Sequence, residues 1–184
     1  MNTKSISLRQ VPMLVALIAS LFSACSSSRT STLVADSYDA TTDRTVLTVV
    51  PYGNISLPGQ WEKTSYNDVS RQHFFSNGDS TTVAVAKQPK EKYPFHTVGQ
   101  DDTQFVAAFH NWDADYWRKQ GMVTTVVEDR SLDGFIVWHV AGLRANTTFL
   151  FGSKNNYAYN LSVSTRRWDD PQVKKFLLDL YAAN

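Results

Sequence analysis

Three strand-turn-strand units constrain this chain more than any other feature. Residues 72–76 and 81–87 flank Asn77-Gly78-Asp79, a hairpin turn signature. Residues 123–128 and 135–140 flank Leu132-Asp133-Gly134, and residues 147–151 and 157–165 flank Ser153-Lys154-Asn155-Asn156. In the last of these runs Tyr157, Tyr159, Leu161 and Val163 alternate with Ala158, Asn160, Ser162 and Ser164, the pattern of a half-buried strand. Phe135-Ile136-Val137-Trp138 has no polar face, as a central strand covered on both sides would.

Two helices interrupt and close this series. Asp101 and Asp102 offer an N-cap, Phe105, Phe109, Trp112 and Tyr116 recur at helical spacing, and Gly121 ends the run. Asp169-Asp170-Pro171 opens the second helix and places Val173, Phe176, Leu177, Leu180 and Tyr181 on one face. The order predicts a single α+β domain: an antiparallel sheet of about six or seven strands packed with one long central helix and a C-terminal helix.

Composition narrows the function. The 184 residues are 42% apolar, with 18 basic and 17 acidic side chains, which suits one ordinary domain plus a short extra segment and excludes a disordered polyelectrolyte. A formal net charge of +1 gives no electrostatic reason to expect a nucleic-acid binder. One cysteine excludes a disulfide framework and a cysteine-only metal site within one chain.

That cysteine ends a segment that stands apart from the fold. Lys4 and Arg9 precede an apolar run over residues 11–22, and Ser23 and Ala24 lead to Cys25, the layout of a secretory signal. The run is about a dozen residues, short of the ~20 needed to span a bilayer. Leu21-Phe22-Ser23-Ala24-Cys25 resembles the bacterial lipobox, with Phe22 where leucine is usual. The resemblance implies that residues 1–24 are removed and that Cys25 is lipidated, anchoring the chain to a membrane without spanning it. Ser26, where aspartate would mark inner-membrane retention, implies the periplasmic leaflet of an outer membrane where the envelope has one. Loss of Lys4 and Arg9 takes the charge from +1 to −1, with 16 basic and 17 acidic residues left. Half of the 20 residues from Ser26 to Thr45 are serine or threonine, so residues 25–45 read as the lipidated cysteine with a flexible tether, and 46–184 as the domain.

Asn54-Ile55-Ser56-Leu57-Pro58-Gly59-Gln60-Trp61 resembles the opening of PsbP-like domains, which include DcrB-type bacterial lipoproteins and the extrinsic PsbP proteins of photosystem II. The resemblance implies a domain that works by binding other proteins or supporting a membrane assembly, and it supplies no catalytic set to carry over.

No strong catalytic signature appears. The sequence has no Gly-x-Ser-x-Gly elbow, His-Glu-x-x-His helix, phosphate-cradling glycine loop or Cys-x-x-Cys pair. His110 and Asp113 lie three apart on the first helix and share a face, a candidate polar site for a metal or a proton, or else a solvated edge. His139 reads as a core histidine held by one hydrogen bond, and the three lysines of residues 87–92 read as a wet loop. Trp61, Tyr66, Tyr93, Phe95 and Trp168 fall near loops or element ends and form a candidate binding surface, unless they close the ends of the sheet. The leading expectation is a non-enzymatic, lipid-anchored accessory protein of the cell envelope that binds another envelope protein. No cofactor, metal or nucleic acid is expected. The alternative is a small-ligand or glycan binder with its pocket between helix and sheet, and a hydrolase with a site assembled by the fold comes last.

Overall fold

The structure, a computed structural model, describes residues 32–143 and 145–184; the signal segment, Cys25 and residues 26–31 lie outside the described residues. Each turn signature joins the two strands it was expected to join, and all the pairings are antiparallel. Among the described residues the chain runs β1 (Leu33–Asp39), β2 (Arg44–Val50), β3 (Gly53–Pro58), β4 (Glu62–Asn67), β5 (Gln72–Ser76) and β6 (Thr82–Pro89). Then follow α1 (Asp102–Lys119), β7 (Val123–Arg130), β8 (Phe135–Ala141), β9 (Asn146–Lys154), β10 (Tyr157–Ser164) and α2 (Asp170–Ala182). The seven-stranded sheet has the order β4-β5-β6-β10-β9-β8-β7, and the first three strands form their own sheet in the order β1-β2-β3. The architecture is α+β, as the sequence predicts, with a second small sheet that it does not.

Both helices begin with a capping box. Asp101 accepts from the Gln104 backbone N–H and Asp169 from that of Gln172, while each glutamine side chain returns to the cap's own N–H. One face of the large sheet carries Phe75, Val83, Val85, Val137, Leu150, Tyr159, Leu161 and Val163. It is covered by α2 through Val173, Leu177 and Leu180 and by the small sheet through Leu47, Val49, Ile55 and Leu57. The other face carries Ile136, Trp138, Val140, Phe149 and Phe151 and receives α1 through Phe105, Val106 and Phe109. Phe135–Trp138 is apolar on both sides because both sides are covered, as its sequence requires. Among the described residues no helix is long and apolar enough to cross a membrane.

Three readings need correction. The ordered chain starts well before Val46, because β1 pairs with β2 along its whole length, from Leu33↔Val50 to Asp39↔Arg44. The strand is an exposed edge: the backbone ladder holds it, and Asp39 ties the turn by accepting from Thr41 and Thr42. Lys90 is not in a wet loop but buried, its Nζ donating to Asp102 at 2.7 Å. The polar face of β10 is not solvated: Asn160 and Ser162 are buried as fully as the apolar face.

The tightest interlayer packing is at Gly152 of β9, where an added Cβ would overlap the Tyr181 ring of α2. The Tyr181 hydroxyl is fixed there by the carbonyls of Gly134 (3.1 Å) and Ser153 (3.2 Å). Gly152→Ala should cost about 1–3 kcal/mol by forcing α2 off the sheet. Urea unfolding of the variant beside wild type checks this, and an unchanged midpoint would mean that the ring has room to move.

Candidate functional site

The two ends of α1 meet different floors. At its N-terminal half Phe109 stacks on Phe151 at 3.9 Å with the rings 5° from parallel, and Trp138 stacks on Phe149 beneath the helix at 4.8 Å. Toward β5 the same sheet face turns small and polar. Register places Phe149 beside Ser162, Ser162 beside Ala84 and Ala84 beside Phe74, with Phe151, Asn160 and Ala86 in the adjacent row. Small residues there cannot fill the height that aromatic residues fill under β8 and β9, so a cleft of about 710 Å³ opens between α1 and β5, β9 and β10. That volume lies in the ordinary range of small-molecule sites, roughly 300–1,000 Å³.

The cleft has a polar floor, aromatic walls and one carboxyl. Gln72 Nε2 donates to Asn160 Oδ1 at 3.0 Å and to Ser162 Oγ at 3.4 Å, and Thr147 and Ser164 share a hydroxyl pair at 2.7 Å. Trp112, Tyr116, Trp117 and Tyr93 stand around it. The Tyr93 hydroxyl is buried without a hydrogen-bond partner among the described residues, and burial pushes its phenol well above the usual value. Burial also pushes the Asp113 carboxyl up to about 6, against the neighbouring Trp117 indole that pulls it back. The carboxyl is therefore half-titrated just below neutral pH and can present either a hydrogen-bond donor or a charge.

Placement of α1 rests on a buried tie. Lys90 Nζ and Ser153 Oγ both donate to Asp102 Oδ1, at 2.7 and 2.6 Å, joining the ends of β6 and β9 to the first turn of the helix. Burial alone would raise Asp102, but these two donors and the Lys90 charge hold it below the usual carboxylate range. A larger groove, of about 760 Å³, lies by the β8–β9 turn among exposed residues such as Leu143, Arg166 and Arg167, and it lacks the enclosed aromatic walls.

The residues singled out from sequence fall in three places. Trp61 is buried against Trp168 and Phe176, its indole donating to the Pro58 carbonyl at 2.7 Å, while Trp168 donates to Asp79 at 3.1 Å. This pair closes the end of the core under α2. Tyr93 and Phe95 pack on Phe105 and Phe109 and strap the chain across α1, with Phe95 also against Trp112. Tyr66 is half exposed on edge strand β4, stacked on His73 at 4.6 Å. The five aromatic residues do not form one surface. His110 and Asp113 also part company: His110 lies edge-on to Trp138, with Arg118 and Asp129 as its charged neighbours, whereas Asp113 faces the cleft. Asp113 was legible as a carboxylate at the edge of an apolar stripe; the floor residues Gln72, Asn160 and Ser162 were not, because only the register brings them together. His139 is held by Thr148 at 3.0 Å. Among the described residues no three His, Cys, Asp or Glu side chains converge on a metal position. The chain matches no family model, and no curated protein matches it.

Asp113 makes the fold pH-sensitive. Its folded pKa lies above the unfolded value of 3.8, so its contribution is fully present below about pH 4 and is lost as pH rises through about 6. Asp113→Asn should flatten the stability profile between pH 4 and 7, a difference on the order of 2 to 3 kcal/mol across that window. Urea midpoints at pH 4.5 and 7.5 test it, and an unaltered profile in the variant would put the carboxyl in water.

Proposed function

We propose that this chain is a non-enzymatic, lipid-anchored accessory protein of the cell envelope that works by binding, and that the cleft beneath α1 is where it binds. The observation that carries the reading is the cleft itself: a site of ligand size with an ordered hydrogen-bonding floor, stacking aromatics and a single tunable carboxyl. The complement is a compact molecule with an apolar or ring-shaped body and several hydroxyl or amide groups, a class that includes glycans. The lipobox resemblance supports the anchoring, and Cys25 carries the lipid.

A protein partner is the second reading, and one feature favours it. Trp112 and Tyr116 are 46% and 54% exposed at the lip of the cleft, and Val69 across from them is 87% exposed. A partner loop that buried this lip could insert a side chain into the cleft.

Two outcomes are expected. Cys25→Ala should move the protein from the membrane to the soluble fraction, and continued membrane retention would overturn the anchoring. Ser162→Phe points a ring into the cleft and gives up the Gln72 hydrogen bond there, so its fold is checked against wild type by circular dichroism. Protein purified in mild detergent from its own cells should carry a compound, read by mass spectrometry, that the Ser162→Phe variant lacks. A polypeptide lost from the variant would establish the second reading instead, and identical preparations would remove the cleft from the function.

A further inference from the structure

A second pocket, of about 590 Å³, lies where the small sheet meets the edge of the large one, reached by residues of β1, β2, β4 and β5. Its lining differs from that of the cleft, with which it shares Arg71 and Lys92. Lys63, Arg71 and Lys92 line it, and no carboxylate does. The nearest acid is Asp36, 3.8 Å from Lys63 Nζ, a long and partly exposed pair. Among the described residues Arg71 and Lys92 have no carboxylate within ion-pair distance. The register of β4 on β5 sets Lys63 toward the pocket, while Arg71 comes from the β4–β5 turn and Lys92 from the segment after β6. Lys63 opposes Phe75 and Tyr66 opposes His73, and the bulge between Lys63 and Ser65 keeps both pairs on the face toward the small sheet.

A buried group in the pocket wants a partner. His73 is 4% exposed, lines the pocket, and its Nδ1 has no hydrogen-bond partner among the described residues. Burial, with the Lys63 charge added, lowers its pKa to about 4, so at neutral pH the ring is uncharged and offers one N–H. Leaving that atom unmatched is costly unless something in the pocket pairs with it. The backbone is also set for this arrangement. Asn67 Oδ1 accepts from the Val69 and Ser70 backbone N–H groups, and Arg71 takes a left-handed φ of 57°, which glycine adopts more readily than a residue with a side chain.

We propose that this pocket binds a phosphate oxyanion, with Arg71, Lys63 and Lys92 supplying the charge and His73 Nδ1–H a buried donor. Three converging cations with a guanidinium among them suit a group carrying several acceptor oxygens better than a single carboxylate. The phosphate has two sources, a lipid headgroup and a soluble phosphate ester. The headgroup rests on the anchoring proposed above: Thr32 lines this pocket and Cys25 precedes it by seven residues, a length of chain that reaches about 25 Å at most. An anchored chain thus keeps the pocket within reach of the leaflet that holds it.

The full chain, purified in a non-ionic detergent, is titrated with glycerol phosphate in one arm. In the other it is mixed with phosphatidylcholine vesicles with or without phosphatidylglycerol. His73 ring signals are followed by NMR in both. Saturable shifts with glycerol phosphate assign a soluble ester; shifts only with phosphatidylglycerol assign the headgroup. In either case Arg71→Gly should weaken binding at least tenfold while leaving stability equal or higher, since glycine prefers that φ, and Arg71→Lys should weaken it less. Lys63→Gln should weaken it without moving the ligand. His73 signals that shift in neither arm, or respond equally in Arg71→Gly, overturn the site. Because the glycerol phosphate arm needs no anchor, failure of Cys25 lipidation and failure of the anion site are read separately.

Discussion

The unlike faces of β10 set the rest of the structure. Tyr159, Leu161 and Val163 look toward α2 and the small sheet, and Ala158, Asn160 and Ser162 toward α1. Because β10 sits at the middle of seven strands, neither face reaches solvent, and each must be covered. The apolar face is met by α2 and the small sheet. The polar face cannot support a helix at the same distance as Phe149 and Phe151 do, so α1 seats on β8 and β9 and leaves β10, β6 and β5 open beneath it. A cleft follows from that mismatch in side-chain height. Its floor stays buried without penalty because Gln72 satisfies Asn160 and Ser162 across the intervening strand.

Such a cleft persists only if the helix above it cannot sink. The Lys90–Asp102–Ser153 tie opposes that movement at the N-terminal end of α1, and the strap of Tyr93 and Phe95 wedges against its side. Only the Lys90 end of this pair is buried, so its net stability is small, yet removing the Asp102 carboxylate strands the Lys90 charge. Its effect here is geometric: it fixes where the helix starts, and through that where Asp113 and Trp117 stand, more than two turns further on. The exposed Trp112 and Tyr116 have the same origin. Their helical spacing makes them core residues by pattern, but the floor beneath their end of the helix is too low for them to reach.

What could be read from the sequence follows the range of the interactions involved. Turns, caps and alternation are local, and they placed both helices and the three hairpins of the second half of the large sheet and its β5–β6 edge. β1 was hidden because its stability comes from the ladder with β2, which no property of residues 33–39 announces, and because the serines and threonines on either side of it read as a tether. Trp61 and Trp168 looked like surface aromatics because both adjoin turns; only tertiary packing shows that they meet each other over Phe176. Asp113 could be found, as a carboxylate misplaced on an apolar stripe, whereas hydrogen bonds between the amides and hydroxyls of its site span up to 90 residues.

Net charge misleads in a related way. A sum near zero excludes a field strong enough to draw a polyanion, but says nothing about how the charges are grouped. Here the acids are spent locally: Asp39 and Asp79 tie turns, Asp102 pairs with Lys90, and Glu128 pairs with Lys174 and Arg130. Among the described residues that leaves Arg71 and Lys92 with no carboxylate within ion-pair distance, at the point where the β4–β5 turn meets the end of β6. Both side chains border the cleft as well as the cationic pocket. The two cavities lie on opposite faces of the sheet and differ in polarity, yet they share this rim. Arg71, at a left-handed φ of 57°, stands on that rim, where the β4–β5 turn and the two cavities meet.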